Sequence, residues 1–176
     1  MAFNSYIKID GIEGQSTDVV HANWIDVVSF SHGAVQENQY ANQTNAAGRG
    51  VLAPLIFVHL LDKATPNLQK ACMSGQNIAS VKLEVCAQIG GAKQKLYEVE
   101  MTNVRVTEAR VMTVDAPVSS DTEMAGVGRD AAALRLVEQV SLMAEEYKWT
   151  AHTFKTTGEL GGDVAAGWNV ATDQSV

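Results

Sequence analysis

The side chains of this 176-residue chain that could bind a metal or act on a substrate are four histidines, His21, His32, His59 and His152, two cysteines, Cys72 and Cys86, and the carboxylates near them. Imidazole and thiolate are the usual ligands of zinc, and short ligand spacings are how one turn or strand brings them to the ion. No histidine lies two to five residues from another His or a Cys, and Asp18 and Asp62 stand alone, so no metal is expected. The serines do not occur in a Gly-x-Ser-x-Gly turn, and neither cysteine has a protease or redox context. Two cysteines are also too few for a disulfide scaffold, and they read as reduced small side chains. Acid pairs such as Glu145-Glu146 and Asp121 with Glu123 read as solvated surface, the default for carboxylates.

Two glycine-rich stretches could bind phosphate. Gly126-Val127-Gly128-Arg129-Asp130-Ala131 has the spacing of a dinucleotide fingerprint, but a polar loop, Pro117 to Glu123, stands where the preceding strand should be. Gly48-Arg49-Gly50 lacks the Gly-Lys-Ser/Thr ending that cradles phosphates. No cofactor and no catalytic residue is expected.

The elements that must position these residues are mainly strands. Val81, Leu83, Val85, Ala87 and Ile89 alternate with Lys82, Glu84, Cys86 and Gln88, which places the two sets on opposite faces of one strand. After Gly90-Gly91 the alternation resumes with Tyr97, Val99 and Met101, which predicts a hairpin. Further strands are expected at Tyr6 to Ile9, Trp24 to Phe30, Leu52 to Leu60, Val104 to Val111, Tyr147 to Phe154 and near Trp168 to Val170, runs rich in β-branched and aromatic residues. One short helix over about residues 66–74 is signalled by Thr65 as N-cap, Pro66 at the first helical position and Gly75 at the end, with Leu68, Ala71 and Cys72 on one face. The fold class expected is mainly β: an antiparallel barrel or sandwich with one short helix.

Two stretches resist this reading. Ser31 to Gly50 is rich in Asn, Gln, Gly and Ala and exceeds the usual connection length, so it reads as an extended loop over residues 31–50. Residues 112–136 also read as irregular, and from Asp130 to Tyr147 the local preference is helical.

Bulk properties exclude several function classes. A formal charge of −7, from 20 acidic against 13 basic residues, opposes binding to nucleic acid and to anionic membranes. The longest apolar run, Val51 to Leu61, is about half of the roughly 20 residues a membrane helix needs, and Pro54 and His59 interrupt it. The opening MAFNSYIKIDGIEG contains no stretch resembling a secretory signal. No membrane insertion and no signal-directed export are expected. A chain of this length buries roughly 70% of its unfolded surface as one domain, so residues 1–176 are expected to form a single unit.

Several segments resemble one family. DKATPNLQKACMSG, from Asp62 to Gly75, is similar to the hallmark segment of the haemolysin-coregulated proteins, a turn leading into a short helix. The opening MAFNSYIKIDGIEGQSTD, HANWIDVVSFSHGAVQ, Gly90-Gly91, VEQVSL from Val137 to Leu142 and GGDVAAGWNV from Gly161 to Val170 resemble further segments of that family, nearly end to end. The resemblance implies a fold like that of phage tail tubes, and a strand at Val137 to Leu142 that overrides helix propensity. Met124 to Arg135 departs from the family pattern by being longer and Ala-rich, and a short extra helix at Asp130 to Arg135 is the expected consequence.

It further implies a structural subunit of the type VI secretion inner tube: a homo-hexameric ring that stacks on other rings, meets a spike protein and a contractile sheath, and carries small effector proteins in its lumen. Such a protein would begin in the bacterial cytoplasm and leave through the machine without a signal peptide. Ser31, where the second strand gives way to the long loop, is the position the resemblance assigns to the lumen wall. Within the loop, Gln39, Tyr40, Asn42 and Arg49 are the residues expected to reach another subunit, since the loop has only Val35 and Tyr40 as sizeable anchors onto its own domain. The competing reading is a small-ligand-binding or catalytic β-barrel, which would need a convergent set of titratable or metal-binding residues.

Overall fold

The computed structural model describes residues 3–36, 50–115, 134–155 and 158–176. In chain order the elements are β1 (Phe3–Ile9), β2 (Ile25–Ser31), β3 (Ala34–Gln36), β4 (Gly50–Leu52), β5 (Leu55–Leu60), α1 (Thr65–Ser74), β6 (Ile78–Ile89), β7 (Ala92–Asp115), β8 (Leu134–Phe154), β9 (Leu160–Asn169) and β10 (Gln174–Ser175). All strand pairs are antiparallel. Strands β8, β5, β2, β1, β6 and β7 pair in that order, and β7 pairs back onto β8, which closes a six-stranded barrel. Strands β9 and β10 extend the sheet beyond the second half of β8.

Closure works because β8 changes partner along its length. One edge pairs with β7 from Leu134 to Ala151, while the other pairs with β5 from Val137 to Leu142 and with β9 from Glu146 to Phe154. Strand β7 bends to follow, with Asn103 in the left-handed region at φ 53° and a register shift at Thr107, whose hydroxyl donates to the Ser141 carbonyl at 3.1 Å. Extra residues of this kind raise local twist and turn a strand around a barrel corner.

Inward-pointing side chains fill the barrel. Ile7, Ile25, Leu55, Phe57, Leu83, Val99, Met101, Val140, Leu142 and Tyr147 are all buried in one cluster. Each large apolar side chain so buried contributes roughly 1.5–3 kcal/mol relative to exposure. Helix α1 lays Leu68 and Ala71 into this cluster and packs against β7. Its end is a hydrogen-bonded left-handed turn: Gly75, at φ 62°, donates to the Cys72 carbonyl and Gln76 donates to that of Ala71.

Several expectations need correction. Thr65 is not the N-cap but the first helical residue; Ala64 holds the N-cap position with no side-chain capping bond, and the Asp62 carboxylate accepts the Ala64 N–H at 2.8 Å in the turn before it. The run Leu52 to Leu60 divides at Ala53-Pro54, where proline has no N–H for a ladder. Tyr97 to Met101 and Val104 to Val111 lie in one continuous strand, β7, and Val137 to Leu142 and Tyr147 to Phe154 both lie in β8. Residues 112–136 are not irregular throughout, since both ends belong to β7 and β8. The extra helix at Asp130 to Arg135 is contradicted at Leu134 and Arg135, which are strand; residues 130–133, like the glycine motif at 126–131, lie outside the described residues. The stretch 31–50 is not all loop either, because Ser31 ends β2 while β3 and β4 pair with each other.

Candidate functional site

Register across the sheet assembles one outward face from four strands. Ser31 of β2 pairs with Ile56 of β5, Ile56 with Ser141 of β8, and Ser141 with Glu108 of β7. One step along, Ser29, Val58, Gln139 and Arg110 form a parallel row. Their inward neighbours Phe57 and Val140 belong to the core, so the alternation turns these eight residues to the outer side of the sheet, where Ser141 is nevertheless buried. Arg110 pairs with Glu108 at 2.7 Å, a neutralised ion pair. The face is small, mostly polar and balanced in charge, and its residue types offer a smooth wall rather than a nucleophile with its base. Ser31 is exposed on it. Of this row the sequence singled out Ser31 alone; the spacing of two in Ser29/Ser31, Glu108/Arg110 and Gln139/Ser141 is the signal that carries the others.

Beside this face stands an arm. Strands β3 and β4 form a two-stranded sheet of their own, joined at the base by Ala53 donating to the Gly33 carbonyl at 2.8 Å. Val35 and Val51 are directly paired across the arm and are 62% and 59% exposed. Gln39, Tyr40, Asn42 and Arg49, the expected inter-subunit residues, lie between these strands and outside the described residues.

The histidines, distant in sequence, enter separate clusters. His59 is fully buried in the barrel, its Nε2 3.0 Å from Glu138 Oε2 on the neighbouring strand and its Nδ1 3.8 Å from Asp62. His32 stacks with Tyr147 and Trp149 and accepts the Trp149 indole N–H at 2.6 Å; burial lowers its pKa and keeps it the neutral acceptor. His152 bridges Glu98 at 3.0 Å and Asp163 at 2.7 Å. Burial pushes the Glu98 carboxyl up, but hydrogen bonds from Lys82, Lys95 and His152 outweigh it and hold the pKa at about 2.

His21 sits in the β1–β2 connection, which folds tightly because Gly14 donates to the Asn23 carbonyl at 2.9 Å. A Cβ on Gly14 would stand 2.4 Å from the Trp24 carbonyl, so only glycine fits. The imidazole lies flat on Tyr6 with centroids 4.1 Å apart, between Asp18 at 2.7 Å from Nδ1 and Glu84 at 2.9 Å from Nε2. Lys93 donates to Asp18 at 2.6 Å and holds that carboxyl far below its usual range, assisted by the His21 hydrogen bond. Cys86 completes the group, its thiol pKa raised by burial. Spacing along the chain, the basis for expecting no metal set, does not reveal this cluster, because its members come from two elements.

Comparison with known proteins gives a consistent result. The family described as type VI secretion system effector, Hcp, matches residues 6–151. Protein hcp1 of Pseudomonas aeruginosa is 31% identical over 172 residues, 97% of this chain and 96% of that protein. A solved type six secretion system protein superposes with a TM-score of 0.82 at 28% identity, covering 99% of this chain and all of the other. Hcp1 from Salmonella typhimurium superposes with a TM-score of 0.68 at 26% identity, over the full length of both.

Proposed function

The chain belongs to the Hcp family of type VI secretion system proteins, and from that premise we propose that it is a non-enzymatic tube subunit whose work is done by its surfaces. Six copies close side by side into a ring, the rings stack, and the face carrying Ser31, Ser29 and Gln139 lines the lumen through which small effector proteins pass. The observation that carries this reading is the β3–β4 arm, a sheet separate from the barrel. A two-stranded ribbon is marginal alone in water, and an exposed Val35–Val51 pair is stabilised by a partner surface its own barrel does not supply. In a head-to-tail ring that partner is the next copy.

Gln39, Tyr40, Asn42 and Arg49 then extend the contact to a neighbouring subunit or ring, with Tyr40 contributing the largest area. A spike protein, a contractile sheath and the carried effectors are the remaining partners, and the protein passes from the bacterial cytoplasm out through the machine, all 176 residues forming one tube unit. The competing ligand-binding barrel is disfavoured because the barrel interior is filled by Ile7, Leu55, Phe57, Leu83 and Met101.

Native mass spectrometry at micromolar concentration tests the assembly, with six copies expected. Deleting residues 38–47 should leave the barrel folded, weaken stacking and abolish secretion-dependent killing by a host strain. A monomer, or a deletion that assembles and kills normally, refutes the proposal.

A further inference from the structure

The geometry points to a second site on this chain: we infer that His21 Nε2, a Glu84 carboxylate oxygen and Cys86 Sγ bind a divalent cation of the zinc class. These three ligand atoms all lie within 4.8 Å of one another, and all three residues are buried. Glu84 and Cys86 are two apart on β6 and share a face, while the tight β1–β2 connection delivers His21 to the same point.

The imidazole is held as a metal-binding histidine is held. Asp18 lies 2.7 Å from Nδ1, the kind of carboxylate partner that orients a metal-binding imidazole. Tyr6 stacked on one side and Trp24 edge-on at 4.9 Å set the ring plane. Nε2 and Glu84 Oε2 are 2.9 Å apart, at hydrogen-bond distance. Tetrahedral zinc, with bonds of about 2.0–2.1 Å, separates a nitrogen and an oxygen ligand by about 3.3 Å, so this pair must open by a few tenths of an ångström to admit the ion.

Charge favours a cation. The network joins five carboxylates, Asp18, Glu84, Glu98, Glu100 and Asp163, to four lysines, Lys82, Lys93, Lys95 and Lys148. Lys93 lies on the Asp18 side of His21, and Lys95 approaches the other Glu84 oxygen at 3.7 Å, so neither stands between Nε2 and Oε2. Thiolate with imidazole selects zinc-class ions over magnesium or calcium. Cys86 would bind as the thiolate, so its thiol proton leaves as the ion arrives. The fourth position opens onto a cavity of about 540 Å³ flanked by Val20, His152 and Leu160, which supplies the entry path and room for a water ligand. The ion would clip the β1–β2 connection to β6.

The test is titration of the chelator-treated full chain with Co²⁺, a spectroscopic stand-in for Zn²⁺. One equivalent should give a thiolate-to-cobalt charge-transfer band with the intense visible bands of tetrahedral cobalt, all displaced by Zn²⁺. Cys72→Ala should keep these bands, whereas Cys86→Ser and His21→Gln, each shown folded by circular dichroism, should lose the charge-transfer band and the tetrahedral spectrum respectively. Asp18→Asn should weaken Co²⁺ binding about 10- to 100-fold while leaving the spectrum intact. No band at millimolar Co²⁺, or a band that survives Cys86→Ser, overturns the inference.

Discussion

Replacing His59 with Leu should destabilise the barrel more than most core substitutions, because it strands a carboxylate in the interior. His59 and Glu138 are both 0% exposed, 3.0 Å apart, and directly opposed on β5 and β8. The second Glu138 oxygen already lacks a partner, so removing the imidazole leaves the group with no hydrogen bond among those described. Breaking a buried pair by deleting one member costs about 3–5 kcal/mol. At roughly 2–4 °C per kcal/mol for a domain of this size, the melting temperature should fall by about 6–20 °C. Replacing both members, His59→Leu with Glu138→Met, removes both polar groups at similar volume and should recover most of the loss. Urea unfolding followed by tryptophan fluorescence measures both variants, at one protein concentration because assembly adds to apparent stability. A single substitution costing less than about 1 kcal/mol, or a double variant no better than the sum of its singles, would refute the reasoning.

Two further outcomes follow from the geometry. Leu68→Ala, at a fully buried position on the only apolar face of α1, should cost about 2–5 kcal/mol in urea unfolding, and a variant as stable as the parent would contradict the packing of the helix on β7. Glu98, held at a pKa of about 2 against an ordinary 4.5, stabilises the fold only when ionised; its contribution of at most about 3 kcal/mol is complete above pH 4.5 and is lost as pH falls through 2. Wild type and Glu98→Gln should therefore differ at neutral pH and converge in acid, and an equal gap at both would remove the ion-pair explanation.

How legible these features were depended on which physical signal carried them. Alternation in β6 and the Gly90-Gly91 turn is a local property, so that hairpin reads directly from the residues. The closing glycine of α1 is local too, since a left-handed residue needs no tertiary partner. Strand β8 is different: Met143, Ala144, Glu145 and Glu146 prefer helix, and they are extended because β7 pairs along one edge and β5 and β9 along the other. Only the resemblance to a family gave the strand at Val137 to Leu142. The arm escaped notice because two three-residue strands separated by residues 37–49 leave too short a periodicity. The His21 cluster was invisible for a related reason, since Glu84 and His21 are 63 residues apart and meet only after β1 pairs with β6.

The seam between β5 and β8 also governs the order in which the chain can fold. Strand β5 ends at Leu60 and its partner residues begin at Val137. During synthesis at about 5–20 residues per second, β5 therefore waits roughly 4–15 s for that partner, with one edge covered by β2 and the other open. An open edge of Leu55, Phe57 and their neighbours is a template for pairing with another nascent chain. Two features blunt it: Pro54 at its entrance, which cannot donate to a ladder, and His59 pointing inward, which makes a mismatched apolar partner costly until Glu138 arrives. The same buried pair that weighs little in favour of final stability thus guards the strand while the ribosome is still making its mate.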